Sequence, residues 1–233
     1  MRAREDVRVD LMRSRHRLSK FLLRREIYYP NGKAWSKLHR RWLGGLRFDD
    51  RASEVVFADY LEAQDILCAR RDRLERELAE LVPDTPWART IARLRCLRGI
   101  DTLSAAGLCA EIGDFGRFGP EQLASYLGLV PCEDSSGPER RLGQITKAGS
   151  KHARRLLVEA AWHYRHHPFV SESLRRRQSG CDPRAIEIGW RAQRRLHRRW
   201  RDLERRRGKL KTKVAIAVAR ELSGFCQEVA LLD

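Results

Sequence analysis

Between Asp49-Asp50 and Pro83, the apolar residues Val56, Tyr60, Ala63, Leu67, Leu74, Leu78 and Leu81 recur at helical intervals. Residues so spaced return to one side of an α-helix, so this stretch is expected to form one long helix whose apolar stripe must pack on something. Arg70 and Glu77 interrupt a strict heptad, which suits a helical hairpin or an imperfect coiled coil better than a long regular zipper. A single helix lying on its own domain satisfies the periodicity equally well.

The other segments also read as helices, and the expected fold class is all-α. Asp6 to about Arg25 alternates Arg with Leu, Met and Phe and breaks at Pro30-Asn31-Gly32, and Ala34 to Leu43 stops at Gly44-Gly45. After Pro83-Asp-Thr-Pro86, a helix over Ile91 to Arg98 closes on Gly99. The stretch Leu97-Arg-Gly-Ile-Asp-Thr-Leu-Ser-Ala-Ala106 has the pattern of a helix-hairpin-helix, in which turn amides and a helix N-terminus face a phosphate. Asp101 stands in that turn and would repel a phosphate, so a turn that only packs Ile100, Leu103, Leu108 and Ile112 into the core is the alternative. Phe115, Phe118, Leu123, Tyr126 and Leu129 are expected to complete that core. Further helices are expected from about Ser150 to His163, from Arg191 to Arg207 with Trp190, Leu196, Trp200 and Leu203 on the packing side, and from Val214 to Leu231.

Charge is unevenly distributed. The chain has 48 Lys/Arg against 31 Asp/Glu, yet residues 139–213 alone hold 23 against 7. A basic surplus so localised points to a polyanion as partner of that region, and its Arg-rich character suits phosphate geometry. A solvated face is the alternative. The six cysteines form no C-x-x-C pair and read as reduced thiols in a cytoplasm. No apolar run reaches membrane-spanning length, so no membrane partner is expected. His163, His166 and His167 lack further ligands nearby, and no metal is expected there.

One ordered series carries more than composition does: Leu127-Gly-Leu-Val-Pro131, Ser135-Ser136-Gly137, Gly143-Gln-Ile-Thr-Lys147, Gly149 and Arg154-Arg155-Leu-Leu157. It joins a turn with two adjacent hydroxyls to a helix whose first turns are basic, where Lys151, Arg154 and Arg155 add to the helix dipole. The series closely resembles the C-terminal domain of the Piv-like IS110 (IS116, IS902) family of bacterial insertion-sequence transposases. Arg15 to Leu23, Ala34-Trp35, His39 to Leu43 and Gly45 to Phe48 resemble that family's connector, and Gly208-Lys209 with Val214 to Phe225 resembles its last helix.

The resemblance implies a domain plan: a helical connector at 1–48, a coiled-coil-like arm at 49–85 that joins protomers, and a helical C-terminal DNA-binding domain at 86–233. It implies DNA cleavage and rejoining by a serine nucleophile, which maps onto Ser136 with Ser135 as its neighbour. Arg140, Arg141, Lys147, Lys151, Arg154, Arg155, Arg194, Arg195 and Arg198 are the expected DNA contacts. The family's partner half-site is a ribonuclease-H-like domain with a DEDD carboxylate tetrad for Mg2+. Asp6 and Asp10 do not match it, so this chain alone is expected to bind DNA without cutting it. A structured guide RNA, a homo-oligomer or a full-length transposase partner, and a location in the bacterial cytoplasm on the nucleoid are further implications. A non-catalytic nucleic-acid-binding remnant and a basic helical RNA-binding protein are the rival functions.

Overall fold

The computed structural model describes residues 1–119, 121–133 and 142–232. These divide into two compact units, Met1–Leu78 and Ala79–Asp233. The first unit is built from α1 (Arg2–Leu23), α2 (Lys37–Gly45) and most of α3 (Arg51–Leu81). Helix α1 buries Val7, Leu11, Ser14, Leu18, Phe21 and Leu22 along one side, the face its three- and four-residue spacing dictates. Helix α2 begins at Ser36, whose hydroxyl accepts the His39 N–H at 3.2 Å. Asp50 does the same for α3 by accepting the Ser53 N–H at 2.7 Å. Leu18, Phe21, Leu22, Leu43 and Phe57 form the core, with Phe48 and Tyr60 set edge-on to Phe21.

The long helix forms, and five of the seven predicted stripe residues, Tyr60, Ala63, Leu67, Leu74 and Leu78, are half-buried, with Tyr60 against the core. The fully buried residues of α3 are instead Ser53, Phe57 and Gln64, and Val56 at 39% and Leu81 at 58% are the exposed members of the stripe.

The second unit contains α4 (Ala88–Leu94), α5 (Thr102–Ile112), α6 (Gln122–Tyr126), α7 (Lys151–Ala161), α8 (Glu172–Gln178), α9 (Pro183–Arg201) and α10 (Lys211–Ala230). Among the described residues its one sheet is a hairpin of β1 (Pro131–Glu133) and β2 (Leu142–Ile145), antiparallel with Pro131 opposite Ile145. Helix α10 packs against α4, α6, α7 and α9, and buries Val214, Val218, Leu222 and Val229. Ile100, Leu108, Ile112, Phe115, Leu123 and Leu129 join this core as expected. Tyr126 is 38% exposed and stacks instead with the half-buried Phe118. Trp190 is 38% exposed, because Gly189 and Gln193 take the inward positions on that turn of α9. A Cβ on Gly189 would sit 2.6 Å from the Cys96 carbonyl oxygen, so this contact admits no side chain.

The basic helix starts eight residues earlier than expected. Asp182 caps it by accepting the Arg184 N–H at 2.9 Å, and Pro183 fills the first helical position. That Asp-Pro pair was the available signal. At its other end α9 passes into a single π-turn at Asp202–Arg206. Among the described residues, no helix is long and apolar enough to cross a membrane.

Candidate nucleic-acid interface

The hairpin is held at its base by an unusually close backbone junction. Thr146 N donates to Val130 O at 2.9 Å and Lys147 N to Gly128 O at 3.2 Å. Gly128 and Gly149 both have positive φ, and a Cβ on Gly149 would lie 2.0 Å from Tyr126 O. Arg154 locks the junction: its Nη1 donates to the carbonyls of Leu127 and Ala148, each at 2.7 Å. Arg154 therefore has a structural task at the place where a phosphate contact was expected. Ser135, Ser136, Arg140 and Arg141 fall between the two strands in sequence and lie outside the described residues.

At the N-terminus of α7, Ser150 accepts the Ala153 N–H at 3.1 Å and donates its hydroxyl to Glu111 Oε2 at 2.7 Å. His152 Nδ1 lies 3.5 Å from Glu111 Oε1. A carboxylate from α5 thus already sits where the helix dipole would favour an anion. No local signal reveals Glu111, since it reaches Ser150 from 39 residues away in the chain. Lys147 and Lys151 are exposed, and Arg155 pairs with Glu159 at 2.8 Å one turn along.

The turn between α4 and α5 resolves toward packing. Asp101 caps α5 by accepting the Ser104 N–H at 2.8 Å. Gly99, at φ 85°, lets the turn meet α7 so closely that a Cβ would fall 2.7 Å from Ala160 O. The two tryptophans of α9 differ in role: Trp200 is buried and gives its Nε1–H to Glu204 at 2.8 Å, as the core assignment requires.

Cations gather most densely on the C-terminal half of α9. Arg194, Arg195 and Arg198 are exposed there and line an open cleft of about 820 Å³ with Arg201, Arg205 and His197. Arg195 is engaged by Glu221 at 3.2 Å. Among the described residues, Arg194, Arg198, Arg201 and Arg205 have no carboxylate within ion-pair distance. Steps of three and four residues place Arg194, Arg198 and Arg201 on one face of α9, about 4.5–6 Å apart along the axis, and Arg205 follows in the π-turn. His197 is buried at the cleft wall, and its Nδ1 lies 3.0 Å from Tyr164 O. Burial pushes its pKa below the ordinary 6.5, assisted by His167, Arg201 and Arg98 and opposed by the bond to Tyr164.

Buried thiols elsewhere are inert. Burial raises Cys96 and Cys109 to about 12, and Cys226 is raised as well. No three His, Cys, Asp or Glu side chains among the described residues come together as a metal site.

Among the described residues, fold and surface define a mainly helical protein with an arginine-rich cleft on α9. Residues 91–178 match the model of the Transposase IS116/IS110/IS902 family. Over 231 residues, 99% of its length, the chain is 38% identical to a putative transposase, y4qE, of Sinorhizobium fredii, and covers 56% of that protein. Over 216 residues, 90% of its length, it is 31% identical to the transposase for insertion sequence element IS1533 of Leptospira borgpetersenii, covering 62% of it. A probable family 20 transposase of Pseudomonas aeruginosa is 42% identical over 94 residues, 40% of this chain and 27% of that protein. The chain belongs to this family of insertion-sequence transposases, and it spans little more than half the length of the first two relatives. The arginines of this cleft lie beyond the segment that the family model matches, whereas Pro168 in its wall lies within it.

Proposed function

We propose that this chain is the nucleic-acid-binding part of a transposase that acts on DNA, cutting and rejoining strands through Ser136. One observation carries the binding half of that statement: in a member of a transposase family, four arginines stand in a row without carboxylate partners. Uncompensated guanidinium groups at helical spacing match a backbone of regularly spaced phosphates. For the chemistry, attack by the Ser136 hydroxyl on phosphorus would join one strand to the serine and release the other as a protonated hydroxyl. Ser135 is the alternative nucleophile. The metal-binding carboxylates that activate such a reaction would come from a longer transposase or a partner copy, and a guide RNA would direct it.

The test is to mix the chain with a full-length family transposase, its guide RNA, Mg2+ and labelled DNA, and to trap covalent protein–DNA adducts. An adduct on this chain that disappears with Ser136→Ala and persists with Ser135→Ala supports the proposal. The opposite pattern moves the nucleophile by one residue, and an adduct that survives both substitutions removes serine chemistry from this loop.

A further inference from the structure

Phe169 is a 51% exposed aromatic ring that follows directly on Pro168, which lines the arginine cleft. It is held firmly for so exposed a residue. Its N–H donates to Gln193 Oε1 at 3.2 Å, and Gln193 is itself 1% exposed in α9. The Arg98 guanidinium lies 4.5 Å from the ring centroid and donates to His167 O at 2.8 Å. One face of the ring is thus backed by a cation, and the chain on either side of Pro168 is tied down.

The cleft also holds two carboxylates, Asp202 and Glu221, and these are engaged by Arg206 and Arg207 and by Arg195 and Arg199.

We propose that this cleft holds a single-stranded polynucleotide segment, with phosphates on Arg194, Arg198, Arg201 and Arg205 and one base stacked on the exposed ring of Phe169. The inference rests on the nucleic-acid role proposed above and narrows it. A duplex keeps its base faces inside the stack and would leave Phe169 without a task, whereas an unpaired strand offers a base face beside every phosphate. Single-stranded DNA and single-stranded RNA share this chemistry.

The full chain is titrated by fluorescence anisotropy against labelled oligo(dT), oligo(U) and a DNA duplex of the same length. Phe169→Ala is expected to weaken both single strands roughly tenfold and leave the duplex unchanged, with Phe169→Trp restoring binding. Because Phe169 is half exposed, the Ala variant is expected to fold, and a circular dichroism melt verifies this. Equal losses on single strands and duplex, or no loss on either, overturn the single-strand assignment while leaving nucleic-acid binding intact. Failure of the unmodified chain to bind any of the three overturns the broader function as well.

Discussion

Arg154 and Lys151 lie three residues apart on one basic helix, and sequence alone gives them the same task. The structure separates them. Arg154 bonds the carbonyls of Leu127 and Ala148, so Arg154→Ala leaves two carbonyls at the hairpin base without a donor. Each lost bond to a charged donor costs about 1.5–3 kcal/mol, so the thermal midpoint should fall clearly, whereas Lys151→Ala should leave it unchanged and only weaken nucleic-acid binding. Gly149→Ala should be more damaging still, because its Cβ would meet Tyr126 O at 2.0 Å and no flexible side chain is there to yield. Wild-type stability in that variant would show that the junction opens in solution. Protonation gives a further residue-level expectation. His39 and His197 are both held below 6.5 by burial, so the unfolded chain binds more protons than the folded one as pH falls. Their stabilisation is complete above 6.5 and is lost progressively below it, so the melting temperature should drop as pH is lowered through 6.5. His197→Gln should flatten that slope; an unchanged slope would mean that other groups set it.

At the scale of elements, α3 shows what periodicity tells and what it leaves open. A recurring three-four spacing fixes that the segment is helical and that a stripe exists. It does not fix which of two neighbouring lines faces the interior, because the partners make that choice. Phe57 turns inward against Phe21 and Phe48, and Val56 and Leu81 are left facing water. If protomers join through that leftover line, Val56→Glu with Leu81→Glu should lower the mass measured by light scattering without loss of helical signal. An unchanged mass would free α3 from that role. The basic helix was legible for a different reason: thirteen of the residues from Arg191 to Arg207 are polar or charged around four apolar anchors, Ala192, Leu196, Trp200 and Leu203, all of which are buried. The capping acid Glu111 was not legible, since its meeting with Ser150 depends on how α5 and α7 pack. The hairpin escaped as well, because a three- and a four-residue strand are too short to show alternation.

For the molecule as a whole, charge and fold are arranged separately. Residues 139–213 carry 23 Lys/Arg against 7 Asp/Glu, and the remainder is nearly balanced. If the four unpaired arginines of α9 each neutralise one phosphate, raising salt from about 50 to 200 mM should weaken binding roughly a hundredfold. A salt-independent affinity would remove phosphate contact as its source. The placement of α10 has a consequence in time. This helix covers α4, α6, α7 and α9, all of which precede it in the chain. While a ribosome is still making it, those four helices have been translated but their apolar faces lack a lid. Final closure of the second unit must therefore await residues 211–230, and until then the nascent segment exposes surface that chaperones bind.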